Sequence, residues 1–210
     1  MNKHLLTQLV LALACALLFA VLPALAGPAA TFHASFKGQL AQAYFDSTDQ
    51  SGCVETFLYV LAVKGVGKET SQPDQGPQAS VVISQTNICS GVLLIEGTGS
   101  AALTEVTFQI DKGLTSAKLD TTIEFCDSVS DTCYPVDAHV VWTSSGAPAR
   151  VKDHVQMQAA GLKINSRSDG ITCAAIASGS IADGSIKLRP ETAFDVNLRL
   201  LKFGEVDLLH

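Results

Sequence analysis

The chain is poor in the residue patterns that carry chemistry. Its six cysteines show no C-x-x-C spacing, so neither a zinc ribbon nor a thioredoxin-like redox pair is supported. There is no Gly-x-Ser-x-Gly elbow and no glycine loop of the Walker or dinucleotide type, so nothing announces an acyl-transfer nucleophile or a nucleotide site. Aromatics make up 6% of the residues and include one Trp. That is too few for the two aromatic girdles of an outer-membrane barrel, and it restricts a stacked sugar-binding platform to a local patch. Basic residues are outnumbered, 14 Lys+Arg against 20 Asp+Glu, for a net charge of −6 at pH 7. An acidic surface argues against nucleic acid or an anionic membrane as partner. No segment shows a helical period with caps, and beyond the N-terminus no apolar run is long enough to cross a bilayer as a helix.

The N-terminus has the pattern of a secretory signal peptide over residues 1–26. Lys3 and His4 precede an apolar run from Leu5 to Leu22, and Ala24-Leu25-Ala26 is a small-x-small cleavage pattern before Gly27. Ala12 stands where a lipobox places a large aliphatic, which argues against lipid attachment at Cys15. The remainder, 27–210, is about 184 residues with 13 Lys+Arg and 20 Asp+Glu, the length of a single domain. Export places it in the periplasm or outside the cell, where cysteines read first as disulfides. Cys126 with Cys133 is the clearest pair, flanking a polar loop, and Cys53 with Cys89 is the next. Cys173, inside an apolar run, reads as a buried free thiol.

Alternating segments separated by Gly/Ser/Asp turns recur about every 8–14 residues along the chain, roughly twelve in all. They predict an all-β fold: an antiparallel β-sandwich stapled by disulfides, or alternatively a closed antiparallel β-barrel. Cys53–Val63 is the most apolar segment and reads as a central strand covered on both faces. Gly65–Ala79 reads as a surface loop, Leu103–Ile110 as an alternating strand, and Asn165–Gly170 as a turn. Ala193–Phe203 alternates through Phe194, Val196, Leu198 and Leu200.

The stretch 117–157 specifies a register. Pairing Cys126 with Cys133 sets Phe125 on Tyr134, Ile123 on Val136, Leu119 on Val140 and Ala117 on Trp142, an apolar face. Asp120 falls opposite His139 on the other face. A one-residue slip would scramble this separation. The turn composition Ser144–Ala149 predicts a second hairpin with Thr143 on Arg150. That register sets His139 opposite His154, with Asp153 opposite Val140 as its one misfit. Directly opposed residues have Cβ atoms about 4.5–5.5 Å apart, so Asp120, His139 and His154 would form one row, a candidate metal site for zinc or copper. The bland alternative is a solvated sheet face. Asp46, Asp49, Asp127, Asp131 and Asp137 are too irregularly spaced for a calcium loop and read as turn-forming carboxylates.

The segments Phe45-Asp-Ser-Thr-Asp-Gln-Ser-Gly-Cys-Val-Glu-Thr56, Leu114-Thr-Ser-Ala-Lys-Leu119, Val140-Val-Trp-Thr-Ser-Ser-Gly146 and Ile164-Asn-Ser-Arg-Ser-Asp-Gly170 resemble uncharacterised exported bacterial β-rich proteins. The resemblance implies a bacterial source and one continuous β-domain; it implies no activity and no functional residues. The reading as a whole is of an exported, non-enzymatic domain without a cofactor. Its role would be binding or structural, at the envelope or outside the cell, toward a cell-surface, glycan or protein ligand. The alternative is a metal-binding protein or metal-dependent enzyme using the histidine face. A third reading, a subunit that adds a strand to a neighbour, would be marked by an unpaired strand at 193–203.

Overall fold

The structure is a computed structural model that describes residues 32–69, 72–159, 162–182 and 185–209. The expected signal peptide, 1–26, lies outside the described residues. Twelve strands follow one another, with no α-helix among the described residues. They are β1 (Phe32–Thr48), β2 (Val54–Glu69), β3 (Gln72–Gln75), β4 (Gln78–Asn87), β5 (Val92–Ala102) and β6 (Phe108–Ile110). Then come β7 (Ser116–Asp127), β8 (Thr132–Ser144), β9 (Ala149–Ala159), β10 (Leu162–Ile181), β11 (Ile186–Leu188) and β12 (Ala193–Leu209). All belong to one antiparallel sheet in the order β1-β12-β10-β8-β7-β5-β4-β2, and β2 pairs back onto β1. The pairings therefore run round a ring of eight strands, with β3, β6, β9 and β11 attached to it.

Alternation explains the ring's interior. Ala41, Ala43 and Phe45 of β1, Leu58, Val60 and Ala62 of β2, and Val81 and Ile83 of β4 all point inward and are buried. So do Leu119, Ile123 and Phe125 of β7 and Val136, Ala138, Val140 and Trp142 of β8. Interiors of this kind are packed as densely as organic crystals. The connection from β5 to β7 crosses one end of the ring. It buries Leu103, Phe108, Ile110 and Leu114, and Gln39 Nε2 of β1 donates to Asp111 O at 3.1 Å. At the opposite end two disulfides join the hairpin tips. Cys53–Cys89 links the β1–β2 turn to the β4–β5 turn, and Cys126–Cys133 closes β7 onto β8. Where the sheet bends sharply only glycine fits: a Cβ on Gly97 would lie 2.1 Å from Cys126 O, and one on Gly179 would lie 1.9 Å from His139 O.

The all-β antiparallel expectation and both disulfides hold, and Cys173 is a buried free thiol whose Sγ lies 3.0 Å from Gly146 O. The β7–β8 register holds at every predicted pair, from Cys126 with Cys133 to Ala117 with Trp142. Other expectations are corrected. The predicted β8–β9 hairpin does not form: β9 pairs with β10, with Ala149 on Thr172 and Ala159 on Leu162, and β8 takes β10 as its neighbour instead. Asn165–Gly170 is no turn but part of the 20-residue β10. There β9 and β12 pair on its two sides, and tertiary pairing overrides the turn propensity of Asn, Ser and Gly. Gly65–Glu69 continues β2 beside β1 rather than looping out. Of Leu103–Ile110 only Phe108–Ile110 is a strand; the hydroxyls of Thr104 and Thr107 bond each other and nearby backbone to make a turn, leaving Val106 79% exposed.

Candidate functional site

On the outer face of β7 and β8, Asp120 pairs with His139 as predicted. His139 Nδ1 lies 2.8 Å from Asp120 Oδ1, and the second carboxylate oxygen is 3.1 Å from Lys118 Nζ. The Lys118 hydrogen bond, ahead of the His139 charge, holds the Asp120 carboxyl below its ordinary range. His154 does not join this pair. It stands opposite Arg167 on β10, and its Nε2 contacts Asn165 Oδ1 at 2.9 Å. His139 is opposite Ser180 on the same strand. Ser180 lies thirteen positions beyond Arg167 on that strand, roughly 40 Å of chain at the usual strand rise. The predicted row is thus divided because β9 turned to β10. Among the described residues no group of three or more His, Cys, Asp or Glu side chains is arranged to hold a metal ion.

The acids of the stapled end serve turns. Asp49 Oδ1 accepts from the N–H groups of Cys53 and Val54, each at 3.0 Å. Asp127, buried between two hairpins, accepts from Val129 N at 3.0 Å, Ser130 Oγ at 2.7 Å and Glu96 N at 3.2 Å. These bonds, with that from Ser130 the largest influence, lower its pKa. A carboxyl held down in this way stabilises the fold above its ordinary range, and the contribution is lost as pH falls through the lowered value. Asp127→Asn is expected to lower the melting temperature more than Asp131→Asn does, with the difference shrinking toward acid pH. Thermal melts at several pH values check this, and equal melts would remove Asp127 as the clasp between β5 and β7.

A third cluster was not anticipated from the sequence. The β1–β12 ladder shifts register between Gln42–Asn197 and Tyr44–Phe194, so β12 carries an extra residue there. Asp195 sits in that bulge at φ 47°, a left-handed conformation that few non-glycine residues adopt inside a strand. The bulge shifts the phase of the strand. Val196, Leu198 and Leu200 pack on the interior, whereas Phe194 turns outward and is 48% exposed. Phe194 stacks on Tyr44 at 5.5 Å between ring centres, Tyr44 stacks on Tyr59 at 4.4 Å, and Phe57 flanks both Tyr44 and Phe194.

Beside these rings runs a chain of polar groups. Gln42 Nε2 is 3.5 Å from Asp195 Oδ2, Asn197 Nδ2 is 3.3 Å from Asp195 Oδ1, and Arg199 Nε donates to Asn197 Oδ1 at 2.8 Å. Gln42 and Asn197 are 2% and 6% exposed. Burial pushes the Asp195 carboxyl above its ordinary range, against the opposing pull of Arg199 and Asn197. Strained backbone, a perturbed carboxyl and one exposed ring, Phe194, backed by the buried Tyr44 and Tyr59, are at one place the physical signs of a functional surface. Its sequence signals were indirect: Phe57 and Tyr59 spaced two apart on β2, and an acid beside Phe194 at Asp195.

The two intrachain disulfides fit an extracellular or exported protein, and no helix among the described residues is long and apolar enough to cross a membrane. No protein-family profile, curated protein or solved structure matches the chain.

Proposed function

We propose that the chain is a secreted or periplasmic, non-enzymatic β-domain of bacterial type that recognises a saccharide on the outer face of β1, β2 and β12. The observation that carries this reading is the juxtaposition of half-exposed Phe194 with the Gln42–Asp195–Asn197–Arg199 chain. A ring face accepts the apolar C–H face of a pyranose, while the partly exposed Asp195 carboxylate and Arg199 guanidinium supply an acceptor and donors for hydroxyls, held in place by the buried Gln42 and Asn197 amides. A ligand on the surface also suits a ring whose interior is occupied by Trp142, Phe108, Phe125 and Leu58.

Chemical shift perturbation by a panel of neutral oligosaccharides tests the reading. Asp195→Asn is expected to weaken binding about tenfold, the cost of one charged hydrogen bond, and yet to raise the melting temperature at pH 7. The sign follows from the raised pKa: the folded state holds the Asp195 proton longer than the unfolded chain does, so stability falls as pH rises from the ordinary carboxylate range through the raised value. The amide carries no such cost. A panel that leaves every resonance unmoved, or Phe194→Ala binding as tightly as the wild type, would refute the saccharide reading.

A further inference from the structure

The ring leaves few open strand edges. β5 pairs with β7 only over Gly97–Ser100. The backbone groups of Glu96 are taken as well: its carbonyl accepts from Ser128 N and Oγ, each at 2.7 Å, and its N–H donates to Asp127. Beyond this point Val92-Leu93-Leu94-Ile95 pairs with β4 on one side, and with no strand on the other among the described residues. β9 also has an open edge, but it carries Arg150, Lys152, Asp153 and His154. Charges on an edge are what discourage an added strand, and Val92–Ile95 has none.

The same tips gather apolar surface. Ile88, Val92, Leu93, Leu94, Val129 and Tyr134 are six of the twelve exposed large apolar side chains among the described residues. The first four lie on the β4–β5 tip and the other two on the β7–β8 tip, which Ser128 fastens to Glu96. Each tip is held by its own disulfide, so the surface is preorganised and loses little freedom on binding. Leu94 is the extra residue between the Thr86–Leu93 and Gln85–Ile95 pairs. This bulge limits main-chain pairing to a short run, so side chains and charge must supply the rest.

Charge selects the occupant. Residues 46–56, 86–97 and 124–135, which form the three stapled tips, contain seven Asp and Glu and no Lys or Arg. The bases Lys187 and Arg189 belong to the β10–β12 connection, across the ring from the β4–β5 tip in the strand order. A second copy of this chain would set acidic tips against acidic tips. We propose instead that the stapled end docks an extended polypeptide segment that is both apolar and basic. It adds as a strand along Val92–Ile95, with its Lys or Arg side chains reaching the acids of the rim.

Calorimetric titration of the oxidised protein with a short peptide of alternating valine and lysine tests this. The expected result is saturable binding that weakens with added salt, is about tenfold or more weaker for Leu93→Lys, and is absent for a peptide of alternating valine and glutamate. If Leu93→Lys does not fold, the exposed charge reversals Glu96→Lys and Asp131→Lys make the same test and must weaken binding. The proposal is overturned by no binding of the lysine peptide, by equal binding of the glutamate peptide, or by unchanged affinity in a folded Leu93→Lys or charge-reversed protein. Concentration-dependent self-association abolished by Leu93→Lys would also overturn it, because the edge would then belong to a second copy.

Discussion

Trp142→Ala is expected to destabilise the protein by about 3–5 kcal/mol, the usual cost of removing a large buried ring. Trp142 is fully buried, and it spans the interior from β8 to β1, where its Nε1 donates to Gln42 O at 3.1 Å. The carbonyl is available to it beside the Asp195 bulge, where the β1–β12 ladder shifts register. Two losses therefore add: the packing volume, and the partner of a buried carbonyl. Trp142→Phe separates them. It retains most of the volume and is expected to cost less, about 1–3 kcal/mol for the orphaned carbonyl. Urea unfolding followed by circular dichroism is the measurement, because the substitution removes the only tryptophan. A loss below about 1 kcal/mol for the alanine variant, far under the normal cavity cost, would show that the ring has no continuous core.

The second large effect concerns the staples. In the chain-entropy account a disulfide stabilises by restricting the unfolded chain, and it does so more for longer loops. Cys53 and Cys89 are 36 residues apart, Cys126 and Cys133 only 7. Replacing both members by serine is expected to cost about 4 kcal/mol for the first pair and about 2 kcal/mol for the second. The order matters more than the values. Should the short loop prove the costlier one to open, native contacts around Asp127 rather than loop closure would govern the stapled end. The first replacement should also loosen the β4–β5 tip, and with it the preorganisation of Val92–Ile95.

How far the sequence could be read depended on whether neighbours in space were neighbours in sequence. The β7–β8 register was legible because period-two alternation and a cysteine pair both specified it, and a slip by one residue would have exposed Ile123 and Phe125. The β8–β9 hairpin rested on turn composition alone, and composition names a turn without naming its partner. Its one internal misfit, Asp153 opposite Val140, was the warning: in the structure Asp153 faces Ser168 and Val140 faces Gly179. Asp120 with His139 was legible for the same reason as the register, and His154 was lost with the hairpin. The Asp195 cluster assembles from three strands far apart in the chain, and its bulge reverses the facing of Phe194 relative to Val196. No periodicity computed along β12 alone contains that reversal.

The closing pair of the ring has a mechanical consequence. β1 and β12 are antiparallel, and Phe32 pairs with Leu208, so the first and last described strands begin and end side by side, at the pole opposite the staples. A pull applied through these two ends would load the β1–β12 ladder one rung at a time, as a zipper opens. Peeling would travel toward Tyr44–Phe194, and the disulfide-bound tips would be the last part to feel the force. Held by its ends, the domain would yield at modest tension while still presenting its stapled pole intact.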